Sequence, residues 1–203
     1  MRFMTKITVL LCFILSGLFV QAQDEGRTLF GSVSGQESAR IGFSLAPGYA
    51  FTQMDQAAAS LFTLRGGLTL NDRTTLGGFF NHSMGNIFPQ SETVSGVYMD
   101  YWSAGGMIEY TLFSQKMVHL TFPLQFGLGE VEMDNEIGWA GLGEAYFMVL
   151  EPAALLEVNL SRFVRFNLGA GYRLVGPMNY RNFDQSALTG FNAHLGLRLG
   201  WFR

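Results

Sequence analysis

Apolar side chains recur at every second position along most of this chain, in eight stretches of about 10 to 14 residues. A period of two puts alternate side chains on opposite faces of an extended strand, so the pattern predicts β-strands. The first covers residues 40–52, with Ile41, Phe43, Leu45, Pro47, Tyr49 and Phe51 on one face and Gly42, Ser44, Ala46, Gly48 and Ala50 on the other. The next two fall at 60–70 and 74–83, and the remaining five at about 102–112, 118–128, 148–160, 164–174 and 191–201. The fifth is the cleanest: Val118, Leu120, Phe122, Leu124, Phe126 and Leu128 alternate with His119, Thr121, Gln125 and Gly127. Asn71-Asp72-Arg73, Ser114-Gln115-Lys116 and Ser161-Arg162-Phe163 have the composition of tight turns. Longer connections at 53–59, 84–97, 130–143 and 176–187 alternate with them. Both ends of the strand region then lie on the tight-turn side, the asymmetry of an up-and-down barrel that crosses an outer membrane.

The N-terminus changes the picture first. Arg2 and Lys6 precede an apolar run over 7–20, and Val20-Gln21-Ala22 supplies small or modest residues where a signal peptidase cuts. Residues 1–22 are expected to be a cleaved signal peptide, because 14 apolar residues fall short of the roughly 20 that span a bilayer. Cys12, the only cysteine, lies inside that segment, so disulfides and thiol chemistry are excluded from the mature chain. Residues 23–38 are polar and Gly/Ser-rich, a flexible periplasmic lead-in, and the barrel is expected over 39–203. Without Arg2 and Lys6, 13 basic residues become 11 against 16 acidic ones, a formal charge of −5, which argues against a nucleic-acid partner.

Alternation alone leaves open which face meets water. The more polar rows are mostly Gly, Ser, Thr and Ala, and charged residues are 14% of the chain. A solvated outer surface normally carries more charge, whereas small side chains suit the narrow interior of eight strands. The apolar rows therefore face lipid, and the charges on the other rows need partners inside. If the sixth and seventh strands pair symmetrically about Arg162, Glu151 lies opposite Arg173 and Glu157 lies diagonal to Arg165. Arg65, Glu109 and Arg198 extend this interior set if their heights match. It reads as a structural salt-bridge plug, with a gate or narrow conduction path as the functional alternative.

On this pattern the chain resembles the small eight-stranded outer-membrane β-barrel proteins, the group that includes the transmembrane domain of outer membrane protein A. The resemblance implies an integral protein of a Gram-negative outer membrane with both termini periplasmic. It also implies contact with outer-membrane lipids including lipopolysaccharide, and with the barrel-assembly machinery during insertion. Leu197, Leu199, Trp201 and Phe202 match the C-terminal signal read by that machinery, extended here by two residues. Tyr49, Phe51, Trp102, Tyr146 and Tyr172 on the loop side, with Tyr110 and Trp201 on the turn side, form an expected aromatic girdle.

Three further groups bear on chemistry. Glu130, Glu132, Asp134 and Glu136 recur at alternate positions, a solvated acidic loop whose oxygens have the character of calcium or magnesium ligands. The His82-Ser83 pair is reminiscent of lipid A deacylases, but neighbours on a strand point to opposite faces, so His82 is badly placed to activate Ser83. His119 and His194 read as interior packing. The sequence thus predicts no catalytic residue, metal or cofactor. It predicts a non-enzymatic barrel with an envelope-structural, surface-recognition or accessory-subunit role, the last alongside another outer-membrane protein. The alternatives are a narrow passive pore and, third, a lipid-modifying enzyme.

Overall fold

The computed structural model describes residues 40–135 and 143–200. The expected signal peptide, the lead-in, Glu136, and Trp201 and Phe202 of the expected assembly signal lie outside these residues. Seven long strands follow one another: β1 (Ile41–Met54), β2 (Ala57–Leu70), β3 (Thr74–Ser83), β4 (Val97–Leu112), β5 (Val118–Asn135), β6 (Glu144–Asn159) and β7 (Val164–Val175). A small hairpin, β8 (Asn179–Tyr180) and β9 (Phe183–Asp184), leads through one helical turn, α1 (Gln185–Leu188), into the last long strand, β10 (Gly190–Gly200). The eight long strands close into an all-antiparallel barrel in the order β1-β10-β7-β6-β5-β4-β3-β2. Closure leaves no unpaired strand edge, which is what a membrane-crossing sheet requires.

The register follows from the turns. Ala153 faces Gly171 and Leu155 faces Gly169, so β6 and β7 pair symmetrically about Arg162. Asn71 and Asp72 hold φ of 51° and 57°, the consecutive positive values of a type I′ hairpin that Asn and Asp tolerate well. Asp55 and Gln56 hold 47° and 62° in the same way, and this corrects the expected first loop. β1 and β2 run on to Met54 and Ala57 and meet in a two-residue turn, leaving three long connections at the loop end. Small residues at 57–60 fit either face of a strand, so alternation gave no sign of the extra pairing.

The two faces separate as the period of two requires. Phe43, Phe51, Leu68, Ile108, Phe126, Leu128, Leu168 and Leu197 are among the many exposed apolar side chains on the outer wall. Inside, polar side chains dominate the half nearest the tight turns and apolar ones the half nearest the loops. There Met54, Leu61, Met99, Tyr101, Val131, Met133, Phe147 and Val149 pack with Ile87, Met178, Phe183 and Leu188 from the connections. The loop-end half of the lumen is therefore an apolar core of ordinary globular kind, rimmed by strands that continue past the lipid-facing belt.

Candidate functional site

Five charged side chains from five strands meet in the turn-side half of the lumen. Arg65 of β2 approaches Glu109 of β4 at 3.4 Å, and Arg198 of β10 forms an ion pair with the other oxygen of the same carboxylate. Arg198 also reaches Glu157 of β6 at 3.2 Å, and Arg165 of β7 stands 3.8 Å from Glu157. The Glu109 and Glu157 side chains are 0% exposed and the three arginines at most 5%. Arg198 and Arg165 face each other directly across the β10–β7 ladder. Glu157 lies between them in contact, converting a like-charge clash into a bridged set. His119 is pinned nearby, its Nδ1 2.9 Å from the Phe113 carbonyl and its Nε2 2.8 Å from Asn159 Oδ1.

Higher in the lumen the expected Glu151–Arg173 ion pair does not form, although the register that suggested it is present. Glu151 turns across the lumen to β10, where His194 Nε2 lies 3.0 Å away and the Asn192 amide donates at 2.6 Å. Arg173 donates to the Leu188 carbonyl at 2.7 Å and to Thr52 Oγ1 at 3.3 Å, with its guanidinium 5.1 Å from the Tyr101 ring centre. A long arginine reaches the carbonyl left open at the end of α1, whereas a shorter glutamate finds its nearest donors opposite. Arg173 thus ties the last connection into the barrel mouth. His194 is corrected from packing residue to carboxylate partner. Asn192 went unnoticed in the sequence, since nothing local announces which strand faces it across the lumen.

The β1–β2 turn and the connections after β3 and β7 also clasp one another. The Asp55 carboxylate accepts from the Ser91 amide and hydroxyl, both at 2.7 Å, and the Asp55 amide donates to the Ala187 carbonyl. Arg181 and Glu92 pair at 2.8 Å, joining the last connection to the one after β3. Burial acts to raise the Glu92 carboxyl, but the Val94 amide and the Arg181 guanidinium outweigh it and hold the group below its ordinary value. Asp184 is lowered likewise, chiefly by the Ser186 hydroxyl and then by the Ser186 amide.

The remaining sequence-derived groups fall as follows. Tyr49, Phe51, Tyr110, Tyr146 and Tyr172 are exposed on the outer wall, and Trp102 is half-buried there. Leu197 and Leu199 also point outward on β10. Glu130, Glu132 and Asp134 are not in a loop but on one face of β5, and Glu132 lies between Asp100 of β4 and Glu144 of β6. Among the described residues, no cluster of His, Cys, Asp or Glu is arranged to hold a metal ion. His82 is exposed and stacked on Phe80, while Ser83 is buried and accepts from the Tyr101 amide. They point apart, as neighbours on a strand must.

No protein-family model matches the chain, and no curated protein sequence matches it. Among solved structures, Neisserial surface protein A is similar over 80% of this chain and 99% of its own, with a TM-score of 0.57 and 14% identity. A major outer membrane protein of Thermus thermophilus is similar over 79% and 99%, at 0.51 and 8%. The outer membrane protein OprG of Pseudomonas aeruginosa is similar over 80% and 96%, at 0.50 and 11%. The fold is that of the small outer-membrane β-barrels.

Proposed function

We propose that this chain is an integral, non-enzymatic outer-membrane barrel with a closed lumen, which acts through its loop-end rim in recognition at the cell surface. The observation that carries the reading is the filling of the lumen. Arg65, Glu109, Arg198, Glu157 and Arg165 meet across it in the turn-side half, and the Met99, Tyr101, Met133 and Phe147 core fills the loop-side half. A solute crossing this barrel would have to break paired charges and then force open a packed, dry apolar layer, each expensive. That weighs against the pore reading. The rim, by contrast, is tied together: the β1–β2 turn and the connections after β3 and β7 bond to one another, and Arg173 holds the last of them to the mouth.

In this reading both termini are periplasmic, the outer wall contacts membrane lipids including lipopolysaccharide, and insertion uses the barrel-assembly machinery. An accessory role beside another outer-membrane protein uses the same wall. The test is the purified, folded protein in planar bilayers. A closed barrel gives no discrete conductance steps, and steps that scale with salt overturn the reading in favour of a pore.

A further inference from the structure

An open cleft of about 1080 Å³ lies where the outer wall meets the rim. Its floor is formed by Phe51, Phe191 and Ala193, outward-facing residues at the tops of β1 and β10. Phe191 is 76% exposed, and Tyr172 of the next strand packs edge-on against it at 4.8 Å. This floor continues downward into Tyr49 and Leu195 and so into the lipid-facing wall. Its upper side is polar: Gln53, Gln56, Asn179, Asn182 and Ser186 line it from the β1–β2 turn and the last connection. The outward row of β1 is apolar from Ile41 to Phe51 and changes at Gln53, which marks the level at which the wall leaves hydrocarbon.

The charges beside the cleft decide what kind of headgroup fits. Arg181, the cation lining it, is engaged by Glu92. Asp55 and Asp184 line it too, each holding a serine. An anionic headgroup would meet two carboxylates and a cation already neutralised. A neutral headgroup rich in hydroxyls would meet amides and hydroxyls that donate and accept, and carboxylate oxygens that accept. We infer that this cleft binds a glycolipid with an uncharged headgroup from the surrounding leaflet, with its sugar among Gln53, Asn182 and Ser186 and its acyl chains on Phe51 and Phe191. The inference rests on the reading of the chain as a membrane barrel and adds a ligand class and a site to it.

The test uses the folded mature protein in nanodiscs holding equal amounts of a monoglucosyl diacylglycerol and phosphatidylglycerol with the same chains, read by native mass spectrometry. One glycolipid is expected to be retained about tenfold over the phospholipid, the margin that two or three neutral hydrogen bonds provide. Gln53→Leu with Asn182→Ala should bring the ratio close to one. Ala193→Trp, which fills the floor while keeping the outer wall apolar, should expel the lipid without removing any polar contact. Equal retention of both lipids, a preference for the phospholipid, or a glycolipid preference that survives both variants would overturn the proposal. So would equal binding of soluble maltotriose. Heat-resistant migration of each variant on gels reports barrel folding separately, so failure of the membrane-barrel reading is distinguishable from failure of the site.

Discussion

Arg198 is the residue on which the lower lumen turns, because it touches the buried carboxylates of both Glu109 and Glu157. Replacing it with glutamine removes the cation that these two anions share. The expected loss is about 3–5 kcal/mol, the usual cost of orphaning buried charges, measured by urea unfolding in detergent or lipid. Glu151→Gln should also destabilise the barrel, by less, since Asn192 still has an oxygen to bond; an unchanged unfolding midpoint would contradict the interior geometry. At this scale the sequence was partly legible. Interior charges announce themselves on strands otherwise lined with glycine and threonine, and the turn at Arg162 gives the β6–β7 register. It does not give the partners, because β10 reaches β6 across the lumen rather than along a ladder. A proline also interrupts the ladder beside Glu151, freeing that carboxylate from its opposed neighbour. So the Glu157–Arg165 contact follows from sequence spacing and the Glu151–His194 contact does not.

Among the elements, β2 and β3 approach so closely at Gly67 and Gly77 that a Cβ on Gly77 would run into the Gly66 carbonyl. Gly77→Ala is therefore expected to break the β2–β3 pairing locally and lower the yield of folded barrel, read by heat-modifiable migration. The loop-end core makes a different prediction. Met99 is fully buried among residues of other strands, so Met99→Ala should cost about 2–5 kcal/mol. It should also expose the connections after β3 and β7 to protease while the lipid-facing strands stay protected. The Arg181–Glu92 bond adds a pH dependence. The folded carboxyl is lowered, so its stabilisation is present above the ordinary glutamate value and is lost as pH falls through the lowered one. Protection of the rim amides, taken relative to their intrinsic exchange rates, should fall as pH drops below the ordinary glutamate range, and Glu92→Gln should weaken that fall. The rim was the least legible element. Residues 97–101 and 131–133 alternate large apolar groups with Tyr, Asp and Glu. Their apolar side is thus the inward one, reversing the rule that holds lower down. The inversion comes from strands that leave the membrane and enclose a water-excluding core, and a period of two has no way to signal where that happens.

At the scale of the whole barrel, the polar and apolar zones of the lumen are stacked end to end inside one closed wall. The outer wall was legible throughout because lipid asks for one thing at every height, an apolar side chain at alternate positions. The claim beneath all others is that this wall faces hydrocarbon and the opposite face does not. Cys12, the only cysteine, falls in the expected signal peptide, so single cysteines can be placed in the barrel without background. Leu124 and Gln125 are neighbours at mid-strand in β5, one 40% and the other 1% exposed. With a fluorophore attached to Leu124→Cys, brominated lipid should quench the emission strongly and a water-soluble quencher should not. Gln125→Cys should resist labelling altogether in the folded protein. Quenching at Leu124→Cys by the aqueous reagent and not by brominated lipid would contradict the account, because it would turn the barrel's apolar wall towards water.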